Sequence, residues 1–328
     1  MSGRLHVEHV MGTAVTVDLR VAGPADRAVA EVVALLHEVD RVFSTWRPDS
    51  DVSRLRAGTL ALDACHPWVE QVLTLCARRR DLTAGWFDPW AIPGGVDPTG
   101  LVKGWAAQRA SDVLVAHGFD DHCVNAGGDV RVRGDANPGV DGRPGWQVGV
   151  VDPADRTRML DVLVVRDGAV ATSGAYERGT LAVDPHSGRR VEPLRSATVT
   201  GPDLAVADAL STAASAAGLD ALPWLASLDG FEALVVTRGE AVHTTPGWVG
   251  PAGRRPGQGA PGPAPGYRRE GRGRSSVVDE PARVAAVHRG DPACVTMTGQ
   301  AATTRRAARS RIGSCTAVSR TRVGWLRG

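Results

Sequence analysis

The stretch from Asp97 to Asp129, DPTGLVKGWAAQRASDVLVAHGFDDHCVNAGGD, constrains the fold more than any other part of the chain. Trp105, Ala106, Ala110, Val113 and Leu114 form an apolar helical run that His117-Gly118 closes with a C-cap signal. A short strand, His122 to Asn125, follows and leads into Ala126-Gly127-Gly128-Asp129. The result is a loop–helix–strand unit at the centre of the chain. It also carries the one lysine of the protein, Lys103, against 37 arginines. That exception suggests a site needing a compact ammonium, not a planar fork. Gly127 and Gly128 would let backbone N–H groups approach a ligand, and the helix from Lys103 could offer its N-terminus to a phosphate. Ordinary turn glycines are the alternative.

The 328 residues, 43% of them apolar, suffice for one large or two ordinary domains. A net charge of +2 hides an uneven distribution: from Pro251 onward 15 arginines face four acidic residues, leaving −9 for the preceding 250 residues. The acidic part reads as a soluble enzyme and not as a nucleic-acid binder. Five widely spaced cysteines with no C-x-x-C pair argue for reduced thiols. The start MSGRLHVEHVMGTAV has no apolar secretory core, and no stretch reaches the roughly 18 apolar residues a membrane span needs. A cytoplasmic protein without a transmembrane segment is expected.

In chain order, His6 to Val21 predicts a strand pair with Met11-Gly12-Thr13 at its turn or bulge, and Ala25 to Asp40 a helix. Phe43 to Arg54 reads as a polar loop, whose Trp46 could stack on a flat ligand or fold back on the core. Pro67 to Leu82 is a second helix, broken at Thr83-Ala-Gly-Trp-Phe-Asp88-Pro, where an aspartate can reach a ligand. Trp146 to Val151 and Met159 to Val165 alternate as strands. Thr172 and Ser173 read as hydroxyl donors on a tight turn, suited to a phosphate or only to capping the turn. Leu181 to Gly188 is another turn, and Ser196 to Thr200 a strand. Asp208 and Thr212, four apart on a helix, place two oxygens on one face. That pair suits a hard cation such as Mg²⁺, or a simple hydrogen bond between the two. A helix–strand passage from Trp224 ends the patterned region near Trp248.

Eight motifs stand in one order: MGT at 11–13, FSTWRPDSDVSRL at 43–55, GWFDP at 85–89, DPTGLVKG at 97–104, NAGGD at 125–129, ATSGAYER at 171–178, VDPHSG at 183–188 and ADALSTA at 207–213. Singly most are weak, but together they resemble the ApbE-type FAD:protein FMN transferases. The resemblance implies an α+β, ApbE-like (T-fold-related) monomeric domain with antiparallel sheet and packed helices over residues 1–249. It implies FAD as substrate, Mg²⁺, and transfer of FMN to a Thr or Ser hydroxyl of an acceptor flavoprotein, with release of AMP. Carried over by position, Met11, Trp46, Trp86, Phe87, Asp88, Asp97, Lys103, Thr172 and Ser173 would contact FAD. The Gly100 carbonyl, Asp208 and Thr212 would hold the metal, with Ser211 at a position some members use.

One position departs from the pattern. The family reads His-Ile-x-Asp-Pro before its Thr-Gly or Ser-Gly turn, with the histidine placed as base for the acceptor hydroxyl. Here Leu181 occupies that position, and His186 could substitute only if its loop turns it inward. A Mg²⁺-dependent FAD pyrophosphatase and a non-catalytic FAD-binding protein therefore stand as alternatives. Residues 250–328 share nothing with the family and open on GPAGRRPGQGAPGPAPGYRREGRGR, too rich in Gly, Pro and Arg to bury a core. A disordered tail, or frameshifted read-through, is expected in preference to an Arg-rich segment binding nucleic acid or anionic lipid.

Overall fold

Period-two alternation on either side of Met11-Gly12 folds the N-terminus into a hairpin. β1 (Gly3–Val10) pairs antiparallel with β2 (Thr13–Arg20), Val10 lying opposite Thr13. Both turn residues have positive φ, 55° at Met11 and 71° at Gly12, as a two-residue turn of this twist demands. The computed structural model describes residues 3–21, 23–137, 145–174, 182–250 and 294–296.

Four helices follow the hairpin: α1 (Asp26–Phe43), α2 (Asp51–Arg56), α3 (Pro67–Leu82) and α4 (Thr99–Ala116). The polar segment expected to be a loop up to Arg54 therefore contains a helix. Ser50 starts it, its hydroxyl accepting the Ser53 N–H at 3.0 Å and donating to the Ser44 carbonyl at 2.7 Å. Next come β3 (His122–Ala126), β4 (Asp129–Arg133), β5 (Trp146–Val151), β6 (Met159–Val165), β7 (Gly168–Gly174), β8 (Ala182–Val183), β9 (Arg190–Val191) and β10 (Leu194–Gly201). The described chain closes with α5 (Leu204–Ala217), α6 (Ala221–Leu225), β11 (Glu232–Thr237), β12 (Val242–Thr244) and β13 (Cys294–Thr296). β13 runs parallel to β5; all else expected of the tail lies outside the described residues.

Eight strands form one antiparallel sheet in the order β1-β2-β3-β4-β7-β10-β11-β12. Its central strands are apolar at successive positions because both faces are covered. On β11, Ala233 and Val235 enter the core under the helices, whereas Leu234 and Val236 enter a second core under the β5–β6 ribbon. On β7, Ala169 and Ala171 face the helices and Val170 the ribbon. Trp146 fills the second core and donates from its indole N–H to the Arg133 carbonyl at 2.9 Å.

The helical layer is built around α4 and α5. α5 is buried on nearly every side, since it lies between α4 and strands β7 and β10. Its alanines (205, 207, 209, 213 and 214) allow that double approach. Gly104 takes the closest contact: a Cβ there would stand 2.6 Å from the Leu204 carbonyl oxygen and 2.7 Å from Asp208 Cβ. Elsewhere on α4, the Arg109 guanidinium packs over both Trp105 and Trp68, 5.0 and 5.2 Å from their ring centroids, while the two rings meet edge to face.

Candidate active site

The turns at one end of the sheet converge with the start of α4 and the middle of α5. Gly127 and Gly128, with φ of 59° and 103°, link β3 to β4 in two residues. Gly127 fits because a Cβ would fall 2.3 Å from Thr13 Oγ1, so this turn presses on the one carrying Met11. Asn125 accepts the Gly128 N–H at 2.8 Å. Asp129, fully buried, then receives Lys103 Nζ on Oδ2 at 2.5 Å and the Thr172 N–H on Oδ1 at 3.1 Å. Lys103, Asp129, the Gly-Gly turn and β7 are thereby locked together.

Helix α4 begins at Thr99, four residues before the expected start, so Lys103 sits in its second turn. The cause is Asp97, whose Oδ1 accepts both the Thr99 N–H at 3.0 Å and the Thr99 hydroxyl at 2.7 Å. Arg56 pairs with the other carboxylate oxygen at 3.4 Å. Thr99 and Gly100, in the first turn of the helix, form part of a cavity of ≈ 200 Å³. Trp86, Asp88, Asp97, Ser173, Thr212 and Ser215 line the same space.

An oxygen cluster forms the inner wall. Thr212 Oγ1 lies 3.3 Å from Ser173 Oγ and 3.4 Å from the Gly100 carbonyl oxygen. Ser173 Oγ is 2.9 Å from Ser211 Oγ, which donates to the Asp208 carbonyl at 3.0 Å. Asp208 Oδ2 accepts the Gly104 N–H at 2.9 Å. Gly100 is flush with this wall: a Cβ would meet Thr212 Cγ2 at 3.2 Å and Phe87 Cε2 at 3.3 Å. Thr172 and Ser173 lie on strand β7, not on a tight turn, because Thr172 pairs with Thr198 and Ser173 with Ala197 of β10. The two threonine hydroxyls stand 2.8 Å apart. No group of three or more His, Cys, Asp or Glu able to hold a metal stands among the described residues. The cluster offers one carboxylate, hydroxyls and a carbonyl, an all-oxygen set that suits a hard cation.

The remaining sequence candidates fall at differing distances from this wall. Phe87 is buried beneath it, and Asp88 pairs with Arg80 at 2.8 Å at its edge. Trp46 is 94% exposed and outside the cavity lining. Leu181 lies outside the described residues. His186 is exposed on the turn at 184–188, where Asp184 accepts its N–H at 2.9 Å. The Ser187 hydroxyl holds the Asp184 carboxyl below its ordinary range. His186 stands edge-on to Trp86, ring centroids 4.7 Å apart, over Gly85. Its loop thus brings the imidazole to a wall residue of the cavity. Ser215 and Glu192 line the cavity without having been singled out in the sequence. Ser215 lies four positions after Ser211 on the same helical face, a signal available in the sequence.

The ApbE family model matches residues 11–94 and 91–235. The chain belongs to the ApbE family. An FAD:protein FMN transferase of Vibrio cholerae is 25% identical over 244 residues, 56% of this chain and 71% of that relative. One from Rhodobacter capsulatus is 32% identical over 161 residues, 46% of this chain and 30% of its own length. Among solved structures, the flavin transferase ApbE of V. cholerae superposes with a TM-score of 0.65 at 21% identity, covering 74% of this chain and 96% of its own. The ApbE protein of Thermotoga maritima gives 0.65 at 23%, covering 74% and 97%. The ApbE fold is thus established, as the motif order implied. No described helix is long and apolar enough to cross a membrane.

Proposed function

We propose that this ApbE protein transfers the FMN half of FAD to a Thr or Ser hydroxyl of an acceptor flavoprotein, releasing AMP, with Mg²⁺ as its metal. The oxygen cluster of Gly100, Asp208 and Thr212, set beside the α4 N-terminus and Lys103, is the observation that carries this reading. A hard cation held there by the Gly100 carbonyl, Asp208 and Thr212 supplies charge neutralisation at the pyrophosphate. Lys103, aimed by Asp129, adds a positive charge fixed before substrate arrives. Thr99 and Gly100 of the first turn of α4 line the cavity, where the positive end of the helix dipole suits phosphate oxygens. Trp86 offers an aromatic face, and Met11 caps the neighbouring turn. The acceptor supplies the nucleophile, so no Ser/His/Asp triad is required in this chain. His186 beside Trp86 is the imidazole that can meet the incoming hydroxyl.

The test incubates the full chain with FAD, Mg²⁺ and a reporter bearing an Asp-Gly-x-Thr-Ser/Thr-Gly-Ala-Thr motif. Flavin fluorescence on the denatured reporter, lost on adding EDTA and in Asp208→Ala, is the expected result. Leu181 at the family's histidine position favours one second reading, Mg²⁺-dependent hydrolysis of FAD to FMN and AMP. Free AMP without a labelled reporter would replace the first reading by that one. Bound FAD with neither product would make this a flavin-binding relative.

A further inference from the structure

Hydrogen-bond accounting in the oxygen cluster leads one step beyond that reading, on which it rests. A hydroxyl has one proton and two lone pairs. In the structure Thr212 Oγ1 can donate to the Gly100 carbonyl at 3.4 Å, a long contact. When a cation takes a lone pair from each of those two oxygens, the carbonyl ceases to be a favourable acceptor and the Thr212 proton must go elsewhere. Ser173 Oγ, 3.3 Å away, is positioned to accept it. The Ser173 proton then passes its bond to Ser211 Oγ at 2.9 Å, and the Ser211 proton goes to the Asp208 carbonyl at 3.0 Å. The chain thereby ends on a backbone acceptor with no hydroxyl left over. Ser215 Oγ lies within reach of the Ser173 carbonyl at 3.3 Å and the Ser211 carbonyl at 3.0 Å, and its one proton serves either of these two middle members.

We propose that Ser173 is a positioning residue that orients Thr212 toward the cation by accepting its hydroxyl proton, with Ser211 relaying that bond to the helix backbone. Ser211 is then a support for the ligand set and not itself a ligand. Residues one step behind a metal ligand commonly change metal affinity about 10–100-fold when lost.

The test uses Mn²⁺ as probe and counts free Mn²⁺ by electron paramagnetic resonance on the full chain. Ser173→Ala should weaken Mn²⁺ binding about tenfold, whereas Ser173→Thr, which keeps the hydroxyl on a strand that favours β-branching, should stay within about twofold of wild type. Ser211→Ala should weaken Mn²⁺ binding in smaller measure, and it carries the test if Ser173→Ala does not fold. Wild-type Mn²⁺ affinity in Ser173→Ala, or an equal loss in Ser173→Thr, would each overturn the proposal. If Asp208→Ala and Thr212→Ala also bind Mn²⁺ normally, the cation site itself falls, which separates that failure from the failure of Ser173.

Discussion

Substituting Gly104 by alanine tests whether the contact of α4 with α5 sets the site. In an exposed helix the change would be favourable by about 1 kcal/mol. Here the new Cβ would meet the Leu204 carbonyl oxygen at 2.6 Å and Asp208 Cβ at 2.7 Å, both attached to backbone with little freedom to move. Reaching ordinary contact at 3.4 Å from Asp208 Cβ requires the helices to part by about 0.7 Å. That movement stretches the 2.9 Å bond from the Gly104 N–H to Asp208 Oδ2 beyond useful length. Overpacking costs about 1–3 kcal/mol. Loss of a hydrogen bond to a charged group adds about 1.5–3 kcal/mol. After the helix-propensity gain, Gly104→Ala should lose about 1.5–5 kcal/mol, read as a lower urea midpoint at unchanged slope. Its Mn²⁺ affinity should fall as well, because Asp208 is carried away from Gly100. A variant as stable as wild type, or more so, would refute the view that this glycine is there for close approach.

Two further perturbations reach other parts of the molecule. Met11, at φ 55°, holds the first place of a turn that favours Asn-Gly, so Met11→Asn should gain about 1 kcal/mol in thermal unfolding while weakening FAD in a fluorescence titration. Equal FAD affinity would show that the strained methionine serves no ligand. His122, fully buried between Ser111 Oγ and the Phe119 carbonyl, is pushed by burial down to about 4. The native protein then binds fewer protons than the unfolded chain between pH 6.5 and about 4, so stability falls as pH drops through that window, by about 3 kcal/mol for this group. Unfolding curves across it should be flatter for His122→Gln than for wild type, and equal slopes would refute the assignment.

The fold was legible where one signal dominated. Period-two alternation found the strands β5 and β6 to the residue, and the apolar stripe found α3. Helix α2 was missed because it is only six residues long, DVSRLR, and its two apolar residues, Val52 and Leu55, are too few to show a period within a Ser/Pro/Asp-rich run. Thr172 and Ser173 were misread because Gly174 suggests a turn, whereas pairing with β10 holds them extended. Trp46 is 94% exposed, so neither stacking on a ligand nor folding back on the core is seen for its side chain. The packing of Arg109 over Trp68 and Trp105 was invisible, since it joins residues from two helices with no local pattern.

The lone lysine illustrates how such a site is specified. Some arginines donate through two N–H groups to one carboxylate, as Arg41 does with Glu38 and Arg158 with Asp152. Lys103 instead rises from the second turn of α4 to a fully buried carboxylate whose other oxygen is already bound to the Thr172 N–H. One oxygen on that carboxylate suits one compact ammonium, which takes less room than a planar guanidinium. The same economy runs through the wall opposite, where glycines at 100 and 104 bring backbone and carboxylate together and small hydroxyls fill the remaining space. Small residues on α4 and α5 are therefore the condition for both the packing and the chemistry. A larger side chain at Gly100 or Gly104 would disturb the two together.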